Sequence, residues 1–276
     1  MSGAAQSEGE AALERVLAGA AAVAALLWEK GWAEGNAGNL SCDVTDLVPE
    51  APSRRTEGPA RPLPVEYAEL GGRRVLVTES GSRMRDLARE PGRFCGILHL
   101  APGGDAYALA WPGAGVPFAP TSELPSHLAI HAALRRLKSR HVAIVHTHPT
   151  ELLALSHDAA LQDEARLNRA LWAVHPELAL LLPEGLGLVR YLCPGTAQQG
   201  VAAGAAMERH RVALWEKHGA VAVGADFAEA FDRIDTVNKA ARLLLLCRAA
   251  GYEPQGLTAA QLEELRGAAG AGGNAV

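Results

Sequence analysis

Two histidines stand two residues apart in "IVHTHPTELLALS" (144–156), where an apolar run ends and a helix-like pattern begins. Residues two apart in a strand point to the same face, so His146 and His148 would present two imidazoles side by side. A sheet can offer two metal ligands in this way, although a pair of structural core histidines would have the same spacing. The pair alone leaves both interpretations open.

A third imidazole and a carboxylate extend this candidate site. His218 lies in "LWEKHGAVAVG", between two apolar runs and directly before a glycine that lets another backbone come close. In "TSELPSHLAIH", Glu123 shares one helical face with His127 and His131. Histidines at separate strand ends favour a metal site. For Glu123 a simple interaction with the helix dipole is the alternative, and His127 and His131 either form a helical metal pair or, as we favour, orient or line the site.

The segment "GNAGNLS" (35–41) predicts a tight loop after a helix. Its backbone N–H groups and two Asn amides could also bind an oxyanion or a phosphate. The chain has no G-x-S-x-G elbow, no G-x-x-x-x-G-K-[ST] loop and no G-x-G-x-x-G after a strand. Serine hydrolase, P-loop and dinucleotide chemistries therefore have little support.

Charge and cysteine usage limit the partners. The 276 residues carry a formal net charge of −5 without a basic stripe, so we expect no nucleic-acid partner. The four cysteines form no C-x-x-C pair, and "MSGAAQSEGE" lacks the basic region of a signal peptide, which favours a reducing cytoplasm. The apolar segment 17–28 is shorter than the roughly 20 residues of a membrane span, so we expect a buried helix and no membrane association.

The apolar and β-branched runs predict an α/β fold. We expect strands at "RRVLVT", "GILHLA", "AYALAW", "HVAIVHTH", "ELALLLP" and "LGLVRYL" and in "RVALWEKHGAVAVG", and a long helix over about 150–172. Paired strands between helices favour one three-layer αβα domain over residues 1–276. Its central sheet would be mixed, largely antiparallel and covered by helices on both faces. Residues 45–72 are expected to form a Pro-rich surface excursion without regular structure between 48 and 64, and residues 266–276 a flexible tail.

Several blocks together resemble the class II aldolase/adducin family. They are "GNAGNLS", "VTESGS", "PTSELPSHLAIH", "HTHPTELLALS", "LLLPEGLGLVRYLCPGT" and "LWEKHGAVAVG". These blocks occur in the family's order and cover most of the chain from about residue 28 to 251. The motif Thr-Ser-Glu-Leu-Pro before an H-x-H strand, with a third His before Gly, is a specific combination.

The resemblance implies a zinc-dependent lyase that reversibly cleaves a ketose 1-phosphate to dihydroxyacetone phosphate and an aldehyde. By that likeness His146, His148 and His218 bind one zinc ion per subunit, and Glu123 is the catalytic acid or base. Sugar-phosphate epimerases and methylthioribulose-1-phosphate dehydratases look similar around the histidines. Adducin-type head domains share the fold but are non-catalytic interaction modules, which have no reason to keep three ligands and Glu123.

The resemblance also implies a phosphate pocket and an oligomer. The pocket residues would be Asn36, Asn39, Ser80, Gly81, Thr121 and Ser122. A second acid would reach in from the neighbouring subunit, with Glu177 as its match, so we expect a homotetramer with a small sugar phosphate as substrate. Two positions depart from the family pattern: Glu79 replaces a usual glycine, and Ser82 stands where a basic residue is common.

Overall fold

A computed structural model describes residues 2–48, 59–111 and 117–271. Its strands are β1 (Asn39–Asp43), β2 (Arg61–Pro62), β3 (Arg74–Thr78), β4 (Cys95–Leu100), β5 (Ala106–Trp111), β6 (Ala143–Thr147), β7 (Gly187–Val189), β8 (Val212–Trp215) and β9 (Gly219–Gly224). They form one nine-stranded sheet in the order β2-β5-β4-β3-β1-β6-β9-β8-β7. All neighbouring pairs are antiparallel except β7 and β8. The predicted mixed, largely antiparallel sheet is confirmed.

Helices cover both faces of the sheet. The described residues form α1 (Ser2–Glu29), α2 (Met84–Leu87), α3 (Pro91–Phe94), α4 (Leu124–Arg136), α5 (Thr150–Leu155), α6 (Glu164–Val174), α7 (Pro176–Leu181), α8 (Ala197–Met207), α9 (Phe227–Ala249) and α10 (Ala259–Ala271). One apolar core lies between the sheet and α1, α5, α6, α7 and α9. Two smaller clusters lie between the opposite face and α4 or α8. The expected helix–sheet–helix layering follows from this division.

Alternation along β1 divides its side chains between the two faces. All five residues of the strand are buried. Leu40 and Cys42 join the large core on the α9 face, whereas Asn39 and Ser41 point the other way and hydrogen-bond to groups on α4. A central strand covered on both sides lacks the polar–apolar alternation of a half-exposed strand. Polar Asn39 and Ser41 on its buried face also resemble turn residues, so the sequence predicted only a loop here.

Helix α8 packs closely on α4 because glycines remove two side chains from their contact. A Cβ atom at Gly200 would lie 2.8 Å from the Pro125 carbonyl oxygen, and one at Gly204 would lie 3.0 Å from that of Ala129. Any larger residue would therefore separate the helices. This contact fixes the N-terminal end of α8, with Gln199, beside the start of α4.

Three local predictions were wrong. "ELALLLP" forms α7 instead of a strand, because Pro176 begins a short helix that buries Leu178 and Ala179. The long helix over 150–172 is divided into α5 and α6 by a 3-10 turn (Ala159–Leu161); Asp158 caps this turn and Asp163 caps α6. Arg61 and Pro62 pair with β5 within the stretch expected to lack regular structure.

The excursion and the two ends of the chain are only partly described. Residues 49–58 of the expected excursion and 272–276 of the expected tail lie outside the described residues, and α10 includes 266–271. After the gap the chain returns to the core at Tyr67 and Leu70. Helix α1 is longer than the predicted apolar segment, and Glu8–Glu29 has the length and composition of a membrane span. Val23, Leu27 and other residues on one side of α1 pack into the large core, and this packing explains why the helix is apolar.

Candidate active site

Three histidines converge where β6 ends and β8 turns into β9. His146 is the fourth residue of β6, and His148 comes directly after the end of that strand. His218 lies in the β8–β9 turn. One nitrogen from each ring lies within 4.8 Å of the other two. His146 is 1% exposed, so the cluster opens to solvent only on the side of the other two rings.

The Nδ1 atom of each ring faces a partner that directs Nε2 toward the centre. His146 Nδ1 donates to the Ala220 carbonyl at 3.0 Å, and His148 Nδ1 donates to Glu34 Oε1 at 2.9 Å. His218 Nδ1 lies 3.2 Å from the side-chain amide nitrogen of Gln199. Hydrogen bonds donated by Nδ1–H to an acceptor, as His146 and His148 make, orient imidazoles in metal sites.

The β8–β9 turn brings His218 to the other rings because Gly219 has no side chain. A Cβ atom at Gly219 would lie 2.6 Å from the Thr147 carbonyl oxygen and 2.8 Å from the His148 ring. This is the close backbone approach that the glycine after His218 predicted. Lys217, before His218, has a φ of 59°, and its N–H donates to Ser156 Oγ at 2.9 Å. The turn is thereby tied to the end of α5.

The Glu123 carboxylate lies against the histidine cluster. Its Oε2 lies 3.1 Å from His146 Nε2, and its Oε1 lies 3.2 Å from His218 Nε2. Asn39 Nδ2 donates to Oε2 at 2.7 Å. Glu123 is the N-cap position of α4 but makes no side-chain capping bond, so its carboxylate is free of the role that a first-turn acid usually has.

Burial keeps the charged forms of these groups unfavourable. It raises the pKa of Glu123, while the Asn39 hydrogen bond and the nearby His148 act in the opposite direction. Burial, followed by repulsion from the neighbouring rings, holds the pKa of His146 well below its usual value. Burial and His148 lower the pKa of His218 to about 4. Neutral imidazoles are the form that binds metal.

The residues fit a divalent metal ion. His146 Nε2 is buried and, among the described residues, has no hydrogen-bond partner at an acceptable angle despite its short distance to Glu123. A buried polar atom without a partner costs free energy unless something occupies its lone pair. Three imidazoles with a carboxylate beside them match the donor set of catalytic zinc sites, which keep one position open.

The predicted phosphate-binding residues lie beside the histidines in one cavity of about 190 Å³. Its lining includes Asn36, Asn39, Ser80, Gly81, Thr121, Ser122, Glu123, His146, His148 and His218. A larger cavity of about 630 Å³ between α5 and α9 is lined by opposite charges such as Lys30 and Asp235, which pair with each other. The smaller cavity contains the chemistry, so its residues and not its size identify the candidate site.

The two departures from the family pattern differ in position. Glu79 lines the same cavity, and no cation pairs with its carboxylate in the described part of the chain. Ser82 is buried and does not line this cavity. Its hydroxyl donates to the Glu79 carbonyl at 2.7 Å. No Lys or Arg is among the described residues that line the cavity, so an anion there would depend on neutral donors.

Glu177 and the two helical histidines do not line this cavity. The side chain of Glu177 is 72% exposed in the first turn of α7, with His175 as its neighbour at 3.7 Å. Its action across a subunit boundary stays a prediction. His127 and His131 both contact the Ser41 hydroxyl, at 2.6 and 2.8 Å, behind Asn39.

Three residues of the site were not singled out from the sequence. Trp215 stacks on His146 with ring centroids 4.5 Å apart, and Gln199 and Glu34 contact the other two rings. Trp215 belongs to the motif "LWEKHG", three residues before His218, which could have indicated it. Glu34 and Gln199 gave no signal, because they reach the site only through the packing of α8 and the turn after α1.

Comparison with known proteins defines the class. A family model for the class II aldolase and adducin N-terminal domain matches residues 18–245. The chain belongs to this family. It is 36% identical to the rhamnulose-1-phosphate aldolase of Bacteroides thetaiotaomicron over 94% of this chain and 95% of that protein. The enzyme of the same name from Enterococcus faecalis is 33% identical, covering 88% and 87% of the two chains.

Solved structures agree with this assignment. A sugar-phosphate aldolase from Thermotoga maritima superposes with a TM-score of 0.76 at 33% identity, covering 88% of this chain and 99% of that one. An L-fuculose 1-phosphate aldolase superposes with a TM-score of 0.63 at 20% identity, which extends the likeness of the fold alone.

Proposed function

We propose that this protein is a zinc-dependent rhamnulose-1-phosphate aldolase. It would reversibly cleave L-rhamnulose 1-phosphate to dihydroxyacetone phosphate and L-lactaldehyde. The observation that carries the proposal is the convergence of three imidazoles on the Glu123 carboxylate, at 3.1 and 3.2 Å for two of them, inside a cavity of neutral donors. The names and extents of the relatives support the choice of substrate.

His146, His148 and His218 would hold the zinc ion, one per subunit. When bound, the metal supplies a Lewis acid that polarises the substrate ketone and stabilises negative charge, worth several kcal/mol. The chain's own contribution is to keep His146 and His218 neutral through burial and to orient the three rings through their contacts with Ala220, Glu34 and Gln199. Trp215 shields one side of His146 from water.

Glu123 would move the proton at the carbon next to the ketone. In cleavage the C3–C4 bond breaks, its electron pair remains on C3, and the C4 hydroxyl becomes the aldehyde by passing its proton to a second group, for which the partner subunit's Glu177 is the candidate. Glu123 delivers a proton to C3, and the reverse reaction removes it. Burial raises the pKa of this carboxyl above its usual range, which favours a group that takes up a proton in one direction and releases it in the other. The partner subunit's Glu177 is the candidate second acid.

The substrate phosphate would lie among Asn36, Asn39, Ser80, Gly81, Thr121 and Ser122. Asn39 uses its oxygen and one N–H within the protein, which leaves its second N–H for substrate. The family relationship also supports a homotetramer and a single aldolase-like domain over the whole chain. The four cysteines are free, in keeping with a reducing cytoplasm as the compartment.

A cleavage assay over sugar 1-phosphates and free ketoses, with detection of the triose product, tests the proposal. We expect L-rhamnulose 1-phosphate to give the highest kcat/KM and to release dihydroxyacetone phosphate. Conversion of the sugar without triose would indicate an epimerase or a dehydratase. No conversion of any substrate by metal-loaded protein would favour a binding module.

A further inference from the structure

A buried polar chain lies behind the candidate active site, between β1 and α4. Asn39 and Ser41 are two apart on the strand, and His127 and His131 are four apart on the helix, so each pair occupies one face of its element. All four side chains are at most 8% exposed. From the active site inward, Glu123 contacts Asn39, Asn39 contacts His127, and Ser41 joins His127 to His131.

The direction of every hydrogen bond follows from the carboxylate at one end. The amide nitrogen of Asn39 donates to Glu123 Oε2 at 2.7 Å, so the amide oxygen faces His127. That oxygen requires a donor, so His127 carries its proton on Nε2. The Nδ1 atom of a neutral His127 then accepts from the Ser41 hydroxyl, and Ser41 Oγ accepts in turn from His131 Nε2.

Both rings are neutral in this arrangement. Burial and the other ring hold the pKa of His127 at about 3. The pKa of His131 is about 4, because burial and Arg73 outweigh the attraction of Asp43. Asp43 itself pairs with Arg73 at 2.9 Å, which leaves its charge largely compensated.

We propose that His127, anchored by Ser41 and His131, is a positioning residue that holds the amide of Asn39 with its N–H toward Glu123. Without the Nε2–H donor, the Asn39 amide could rotate by half a turn and place its oxygen against the Glu123 carboxylate. That contact is repulsive and would displace the acid from the proton it transfers. The kinetic part of this proposal depends on the proposed function.

The hydrogen-bonded row of Asn39, His127, Ser41 and His131 is not a route for protons. Passage through Asn39 would require its amide to lose a proton from nitrogen and gain one on oxygen, which amides rarely do. The role is therefore orientation of a donor, and it predicts specific hydrogen positions that can be measured.

Two variants at one position separate positioning from filling of space. His127→Gln places an amide N–H close to where Nε2 stood, whereas His127→Asn is also an amide but too short to reach Asn39. We expect His127→Gln to keep kcat within about threefold of wild type. His127→Asn should lose about 10- to 100-fold in kcat, with KM changed by less than about threefold and the same metal content.

A second measurement is independent of the reaction. Long-range proton–nitrogen NMR spectra of histidine-labelled wild-type enzyme report the tautomer of each ring, and His127→Gln assigns the signal. We expect His127 as the neutral Nε2–H tautomer at pH 7. If the substrate proposal fails, this result still stands, because it needs no turnover.

The outcomes are distinct. Equal kcat for folded His127→Gln and His127→Asn, or an Nδ1–H tautomer in the wild type, would overturn the proposal. If neither variant folds, Ser41→Ala decides: its kcat should fall with metal content unchanged, and wild-type kcat would overturn the role. The matched control is Ser126→Ala, since Ser126 is equally buried on α4 but its hydroxyl has no partner among the described residues.

Discussion

At the scale of single residues, Glu123 and His148 separate proton transfer from metal binding. The Glu123 carboxylate lies beside two of the rings but is not one of the three groups that could bind the metal. His148 contributes one of the three nitrogen atoms that could. We expect Glu123→Ala to keep the metal and lose about 10²- to 10⁴-fold in kcat, because the proton has no other path. His148→Ala should lose both metal and turnover.

Metal analysis of each purified variant, alongside steady-state kinetics, checks this pair. His157→Ala, an exposed histidine outside the cluster, is the matched control and should resemble the wild type in both. Wild-type turnover by Glu123→Ala would require another residue as the acid or base.

Glu79 is the residue that opposes a phosphate. Glu79 lines the cavity, and its carboxylate has no cationic partner in the described structure, so removal of its charge should favour a dianion there. We expect Glu79→Gln to raise kcat/KM for the phosphorylated ketose roughly fivefold relative to the free ketose, from about 1 kcal/mol of charge repulsion. The exposed Glu66→Gln is the control. An unchanged ratio would show that Glu79 points away from the substrate phosphate.

At the scale of elements, periodicity predicted which residues share a face but not which faces meet. The spacing of Glu123, His127 and His131 placed them on one side of a helix, and α4 has this arrangement. Their partners Asn39 and Ser41 lie on a strand for which the sequence predicts a loop, because small polar residues beside glycines are typical of turns. Contacts between β1 and α4 arise from tertiary packing and have no local signal.

The buried histidines of α4 make an acid-sensitive element. In the unfolded chain His131 would bind a proton near pH 6.5, but in the fold its pKa is about 4. Between about pH 6.5 and 4 the unfolded state therefore binds more protons than the native state. The free energy of unfolding falls as the pH drops through this range. Each such histidine contributes about 1.4 kcal/mol per pH unit.

Urea unfolding of metal-free protein between pH 6.5 and 5 measures this dependence. The slope of unfolding free energy against pH should be smaller by about one proton in His131→Gln than in the wild type. Equal slopes would mean that His131 is already charged in the native state.

At the scale of the whole molecule, the motif order predicted the family, and the pairs of strands between helices predicted the kind of sheet. It could not predict the strand order, in which β1 lies between β3 and β6 and thereby places Asn39 opposite His146. Nor could it predict Gln199 as a neighbour of His218, since that contact depends on the close packing of α8 on α4. Glu177 is exposed on its own subunit, and its predicted role is in the active site of a neighbouring subunit.

Mixed oligomers test whether Glu177 acts across a subunit boundary. His146→Ala lacks the metal site and Glu177→Ala lacks the second acid, so each variant alone should have little activity. A site with metal ligands from one chain and Glu177 from the other is complete. After dissociation and reassembly of an equal mixture, we expect roughly a quarter of wild-type activity in a cyclic assembly. Activity no higher than that of the separate variants would place Glu177 outside the partner's site.

The central claim is a metal-dependent aldolase with His146, His148 and His218 as ligands. The most direct measurement is cleavage of L-rhamnulose 1-phosphate by the same preparation before chelation, after complete metal removal and after addition of zinc. We predict about one zinc ion per chain, loss of triose release on chelation and recovery when one equivalent is restored. Undiminished cleavage by protein shown to be metal-free would contradict the claim.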